Sequence, residues 1–323
     1  MNTNNAQQFT GNRWVLSLIY LLGSMLFISP AFGQTKLLSE RLGYKSTDKL
    51  LLVNCDDAGM CHSANIAVID GMENGMITSA TIMVPCPWSG AIADYAKNHP
   101  EKDFGVHLTH TSEWRFYRWG PVAPRDQVKG LCDPEGFLWR SVEDVYAHSS
   151  PAEALVEGRA QIKKAIAAGV PVTHIDSHMG TMQLNPEYFM AYVQLATEFN
   201  LPLRMPSQAT MEKFNQPKLR DELSKQGLIF TDYFIYEEMG NYKEVKPFWT
   251  GIIKNLKPGV TEIYIHASKL SDELRAITGT AEKRAQEAAC FTSDPDIRKL
   301  IKDEGVILIG YRPLMELQHK LRK

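Results

Sequence analysis

The stretch Leu50-Leu51-Leu52-Val53-Asn54-Cys55-Asp56-Asp57-Ala58 is an apolar run of strand length that ends in two adjacent carboxylates, with Gly59 following. Two further runs repeat this design downstream. His107 lies in FGVHLTH (104–110), and His174, Asp176 and His178 lie in VTHIDSH (172–178). In each run, apolar and β-branched residues deliver polar side chains at the C-terminal end. Separate strand ends converging on a few Asp and His side chains suit a metal site on a parallel α/β scaffold.

Working outward, strand-like runs are read at Leu50–Asp57, Ser79–Pro85, Phe104–His110, Val172–His178, Pro202–Met205, Leu228–Tyr236, Thr261–Ala267 and Val306–Tyr311. Helical periodicity fills the gaps, at Ala64–Gly75, Ala152–Gly169, Glu187–Asn200, Glu244–Leu256 and Asp294–Glu304. Ser150-Pro151 and Asn185-Pro186 supply start signals, and Gly75 and Gly169 stop signals. Strands alternating with helices predict an α/β fold, a (β/α) barrel of the TIM type or a near variant. A doubly wound open sheet is the runner-up, but it would carry a Gly-rich phosphate loop after its first strand. Neither GxGxxG nor GxxxxGK[ST] occurs.

The formal net charge of −2 over 323 residues offers no basic field for nucleic acid, and the composition is globular. Met1 to Gly33 stands apart. Arg13 is its only charge, Trp14 to Phe32 is apolar, and small residues flank Phe32. This predicts a secretory signal cleaved before Gln34, hence a periplasmic or secreted protein without stable membrane insertion. An uncleaved anchor is the alternative. A single domain is expected over 34–323, and the sequence leaves a homodimer open. The five cysteines form no CxxC pair and are read as buried small hydrophobes, with no disulfide.

The connection from Thr111 to Ser150 far exceeds an ordinary βα loop. It carries Trp114, Arg115, Phe116, Tyr117, Arg118 and Trp119 in a row, then Phe137 and Trp139. These rings suit either a small core of the loop's own or a wall on which a sugar stacks.

Adjacent carboxylates on a strand point to opposite faces, so one of Asp56 and Asp57 can hold a metal while the other accepts a proton. Taken alone, the pair is better explained by a turn capping the next helix. Period two places His174, Asp176 and His178 on one face, with His178 nearest the strand end and Asp176 able to orient a histidine. His110 is expected to face outward or into the loop. His266 ends IYIH at the seventh run, where it could give a proton to a leaving group. Arg204 and Asp232 occupy similar strand-end positions, for which a structural ion pair and a substrate contact are equally open. Together, Asp57, His107 and His178 make a His–His–carboxylate set with positions left for water and substrate, as in catalytic zinc sites. Another divalent ion would serve as well.

These motifs resemble the YdjC-like carbohydrate deacetylases, which include chitooligosaccharide deacetylase. The resemblance runs through NCDDAGMCHSANIAVIDGMENGMITSATIMV, FGVHLTHTS, THIDSH, LPLRMP, TDYF, TEIYIHAS, ELRAITGTAEKRAQEAACFTS and GVILIGYRPL, nearly all of Lys49 to Leu314. It implies a barrel related to polysaccharide deacetylases, one divalent metal ion (Zn²⁺ or Mg²⁺), and hydrolysis of N-acetyl groups on a small carbohydrate substrate. Asp57, His107 and His178 match the family's metal ligands, Asp56 its general base, and His266 its acid. Three departures lie near the substrate. The family's DDFG reads Asp56-Asp57-Ala58-Gly59, the His-rich tail after the DSH motif reads Met179-Gly180-Thr181-Met182, and the usual HPG reads His266-Ala267-Ser268. On this resemblance Trp114, Trp119 or Trp139 would stack on the sugar. A non-catalytic glycan-binding protein and a metal hydrolase of another amide or ester are the alternatives.

Overall fold

The computed structural model describes residues 36–236 and 244–323. The expected signal, Met1 to Gly33, lies outside the described residues. Among the described residues, no helix is long and apolar enough to cross a membrane.

The strand run quoted above becomes β1, Lys49–Ala58, the centre of a seven-stranded sheet. The other strands are β2 (Ser79–Ile82), β3 (Phe104–Leu108), β4 (Val172–Ser177), β5 (Tyr233–Phe234), β6 (Gly259–Ile265) and β7 (Val306–Leu308). Every pairing is parallel, in the order β4-β3-β2-β1-β6-β5. One edge of β1 pairs with β6 from Lys49 to Cys55. The other edge is shared: β7 takes Lys49 to Leu51, and β2 takes over from Asn54.

The sheet curls into a half-barrel and does not close as the eight-stranded barrel that the alternation predicted. The run Pro202–Met205 makes only a single bridge to β4, Leu203 to Ile175. Leu203 then donates its N–H to the Ile229 carbonyl at 3.4 Å, a weak link to the run that ends in β5. The cause is local. Pro202 and Pro206 bracket this run, and neither has an N–H to extend a ladder.

Helices cover the outer face, with starts fixed by side chains that the sequence displays. Ser150 and Glu153 form a reciprocal capping box on the helix Pro151–Ala167. Asn185 and Asp294 cap the helices Pro186–Glu198 and Pro295–Asp303. Alternation along β1 separates two cores. Leu51, Val53 and Cys55 join the main cluster beneath the helices. Leu50 and Leu52 pack with Val260, Ile309, Tyr311 and Leu314 in a second cluster. Asn54 and Asp56 continue the face of Leu50 and Leu52, so that face is apolar at the start of the strand and polar at its end.

The long connection 111–150 folds as a packed insertion, with short turns at Arg125–Gln127 and Lys129–Leu131 and a helix at Val142–His148. Val128, Leu131, Leu138 and Val145 are fully buried within it. Glu157, on the helix behind, accepts the N–H groups of Val122 and Ala123 at 2.9 and 2.8 Å. Two of the tryptophans proposed for a sugar wall belong to this packing. The Trp119 indole donates to the Thr111 carbonyl at 3.0 Å. That of Trp139 donates to Gly130 at 2.7 Å while its ring stacks on His148. All five cysteines are free.

Between β3 and β4 the backbone of Gly105 lies against His174, and a Cβ there would sit 2.7 Å from the imidazole and from the His174 carbonyl. Both partners are rigidly held, so Gly105→Ala is expected to destabilise the fold by roughly 1–3 kcal/mol. A urea midpoint unchanged from the wild type would contradict this packing.

Candidate metal centre

At the C-terminal end of β1 the alternation of side chains breaks. Asp57 adopts a left-handed backbone with φ of 65°, uncommon outside glycine, and the register against β2 shifts between Cys55 and Ala58. The pair was expected to split between two faces. Instead the turn brings Asp57 back towards the site reached by Asp56, and His107 lies within ligand range of both.

Asp57 is fully buried and meets a histidine from each of two other strand ends. Its Oδ1 lies 3.3 Å from His107 Nε2 and 3.3 Å from His178 Nδ1, and the two nitrogens are 3.2 Å apart. These three atoms form a nearly equilateral triangle. Four tetrahedral ligands at about 2.0–2.1 Å from an ion would be separated by roughly 3.3 Å. Asp57 Oδ1 is buried between the two imidazole nitrogens without an aligned hydrogen bond, while Oδ2 is engaged by Arg284. The donor set therefore fits a divalent cation.

The supporting contacts set the orientation of each ligand. His107 and Asp176 are direct partners in the β3–β4 register, and His107 Nδ1 meets Asp176 Oδ1 at 2.6 Å. This arrangement turns the other ring nitrogen towards Asp57. Burial opposes a charge on His107, but Asp176 and Asp56 outweigh it and raise its pKa to about 10. His178 behaves alike: burial is outweighed by Glu113 and Asp57, and its pKa rises to about 9. Asp57 itself stays well below the usual carboxylate range, because Arg284 and the two histidines overcome burial.

Asp56 accepts two hydrogen bonds from the guanidinium of Arg204, at 2.7 and 2.8 Å, and one from Asn54 at 2.8 Å. Burial alone would raise its pKa, but Arg204 reverses the effect and holds it ionised. Arg204 also contacts Asp176 at 3.1 Å and Glu262 at 2.8 Å, and the rings of Phe234 and Tyr264 lie over it. Arg204 is thus a member of the site.

His266 follows β6, with Nε2 4.0 Å from Asp57 Oδ2, and forms part of a narrow cleft with Ile235, Phe248, Tyr264 and Lys283. Burial lowers its pKa to about 3, with Arg284 and Lys283 adding to the effect, so the ring is neutral at rest.

The remaining expected residues divide. Trp114 is buried, its ring 6.4 Å from that of His178. His174 sits one layer below the centre, stacked on Tyr311 with centroids 3.7 Å apart and 3.1 Å from the Asn54 side-chain oxygen. Asp232 is not at the site. It accepts N–H groups from Leu38 and from Val260 at the start of β6, the end remote from His266. His110, expected to face outward or into the loop, is fully buried with Nε2 3.0 Å from the Ala154 carbonyl.

Two site residues escaped the sequence reading. Arg284 Nη2 contacts Asp57 Oδ2 at 2.7 Å, and both oxygens of Glu113 lie 3.1 Å from His178 Nε2. Arg284 looks like one more helix-surface charge in TAEKRAQEA, and Glu113 was hidden among the rings that follow it.

Fold and site together define a parallel α/β half-barrel with a candidate divalent-metal centre at the C-terminal ends of its strands. More particularly, the chain belongs to the YdjC-like protein family, which matches residues 50–303. A carbohydrate deacetylase of Thermoanaerobacter pseudethanolicus is 29% identical over 263 residues, covering 81% of this chain and 98% of its own. A chitooligosaccharide deacetylase of Yersinia enterocolitica is 27% identical over 276 residues, covering 82% of this chain and 98% of its own. The crystal structure of an Enterococcus faecalis protein assigned to cellobiose-phosphate cleavage shares the fold. Its TM-score is 0.70 at 24% identity, covering 83% of this chain and 99% of that one.

Burial, with a smaller effect of His178, lowers the pKa of His110 to about 4 against about 6.5 for an unfolded histidine. The unfolded chain therefore binds the extra proton between these values, and stability is lost as pH falls from 6.5 towards 4, by roughly 3 kcal/mol for this group at full extent. In His110→Leu the difference between urea midpoints at pH 7 and pH 5 should shrink. An undiminished difference would contradict the assignment.

Proposed function

We propose that this protein is a metal-dependent deacetylase that hydrolyses the N-acetyl group of amino sugars or small oligosaccharides. The observation that carries the reading is the triangle of Asp57, His107 and His178 donors with the ionised Asp56 beside it. The two deacetylase relatives described above support the choice of substrate class.

Asp57, His107 and His178 would hold a divalent ion, which would supply Lewis acidity for the acetyl carbonyl and lower the pKa of a water. A donor set with two imidazoles would suit Zn²⁺ better than Mg²⁺, which prefers oxygen ligands. Asp56, fixed by Arg204 and Asn54 and held ionised, takes the proton of the attacking water. His266 is neutral at rest and so begins as an acceptor. Once it has taken up a proton, it would hand it to the departing amine, otherwise a poor leaving group. Glu287 accepts the backbone N–H of His266 at 2.8 Å and fixes this position. Trp114, whose ring lies 6.4 Å from that of His178, would be the tryptophan nearest the reacting acetyl group. Taken with a cleaved signal at Met1–Gly33, the substrate would be a periplasmic or extracellular glycan.

Asp56→Asn tests the division of labour. The variant should bind Zn²⁺ as the wild type does and lose acetate release by roughly 10²–10⁴-fold. Full turnover in Asp56→Asn would remove Asp56 from the role of base.

A further inference from the structure

The long connection 111–150 reaches the metal centre through Glu113. His178 turns Nδ1 towards Asp57 and His107, and both Glu113 oxygens lie 3.1 Å from its Nε2. An imidazole that gives its Nε2 proton to a carboxylate keeps a lone pair on Nδ1, the tautomer a metal ligand needs. His107 receives the complementary treatment from Asp176, at Nδ1, within the sheet. The two histidines are therefore oriented by opposite ring nitrogens, one by a strand and one by a loop.

Glu113 is braced on both sides by the loop's own packing. The Ser112 N–H donates to the Trp139 carbonyl at 2.7 Å, and the Ser112 hydroxyl accepts from the Trp119 N–H at 3.0 Å and from Arg118 Nε at 3.2 Å. Arg140 donates to the Trp114 carbonyl at 3.0 Å. Tyr117 donates to the carbonyl of Met60, just past Asp57.

We propose that Glu113 is a positioning residue for the metal centre, orienting His178, and that loop order and metal occupancy are thereby one linked equilibrium. The proposal rests on the metal-centre reading above. Linkage is reciprocal: a cation that fixes His178 tightens the loop, and a loop that holds Glu113 in place tightens the cation. The insertion is thereby tied to the metal centre through Glu113.

The test uses the full chain, stripped with chelator and titrated with Zn²⁺ against a chromophoric competitor. Glu113→Ala should weaken Zn²⁺ binding by roughly 10–100-fold, and Glu113→Gln, which keeps one acceptor oxygen, by less. Glu135→Gln, at an exposed loop residue 3.9 Å from Arg118, should bind as the wild type does. Hydrogen exchange across 112–140 should slow on Zn²⁺ addition in the wild type and not in Glu113→Ala. If Glu113→Ala does not fold, Glu113→Gln carries both comparisons. Wild-type Zn²⁺ affinity in the folded Glu113 variant, or equal slowing of its loop, overturns this inference and leaves the proposed function standing. A wild type that binds no Zn²⁺ overturns both.

Discussion

Two neighbouring carboxylates cannot both face one cavity from an extended strand, because side chains there alternate. The chain meets this constraint with a left-handed residue at Asp57, φ 65°, and a register shift against β2. Such a conformation costs on the order of 1–3 kcal/mol and persists only where its surroundings over-determine it. Here they do: His107, His178 and Arg284 arrive from three different elements to meet a single buried carboxylate. Without that turn, Asp57 would point into the helix layer, and His107 of β3 and His178 just past β4 would face each other without a carboxylate between them.

The same constraint organises the charges below. Arg204 stands among Asp56, Asp176 and Glu262, and Tyr311 donates to the far oxygen of Glu262 at 2.7 Å. Breaking such a buried set by removing one partner strands a charge, which is far more destabilising than the loss of a surface pair. Beneath it Leu50, Leu52 and Val260 give the centre an apolar floor. Negative charge accumulates at the top, where Asp176 and Asp56 raise the pKa of His107 to about 10 and Glu113 and Asp57 that of His178 to about 9.

How much of this could be read in the sequence follows from how local each cause is. β1, β3, β4 and β6 were legible because apolar runs of strand length carry their own signal, and the helix starts at Ser150 and Asn185 because capping is local chemistry. The two strands bracketed or shortened by irregular backbone, at 202–205 and 228–236, were over-read, and with them a closed barrel. Alternation put only one carboxylate inward, since no sequence rule announces a positive φ at Asp57. Asp232 shared the appearance of a site residue but sits at the other end of the sheet. Glu113 and Arg284 reach the centre from distant segments, and nothing in their immediate sequence distinguishes them from surface charges. Tertiary contacts decide the rings of the loop: Trp119 and Trp139 hold the insertion together, and Trp114 packs edge-on against Trp119 while lying 6.4 Å from His178.

The most direct measurement is acetate release from a panel of N-acetylated mono-, di- and oligosaccharides, by chelated protein and again after addition of Zn²⁺, Mg²⁺, Mn²⁺ or Co²⁺. The chelated protein should be silent, and at least one sugar should release acetate once a divalent ion returns. Release that is unaffected by chelation, or a protein that takes up none of the four ions, would contradict the proposed function.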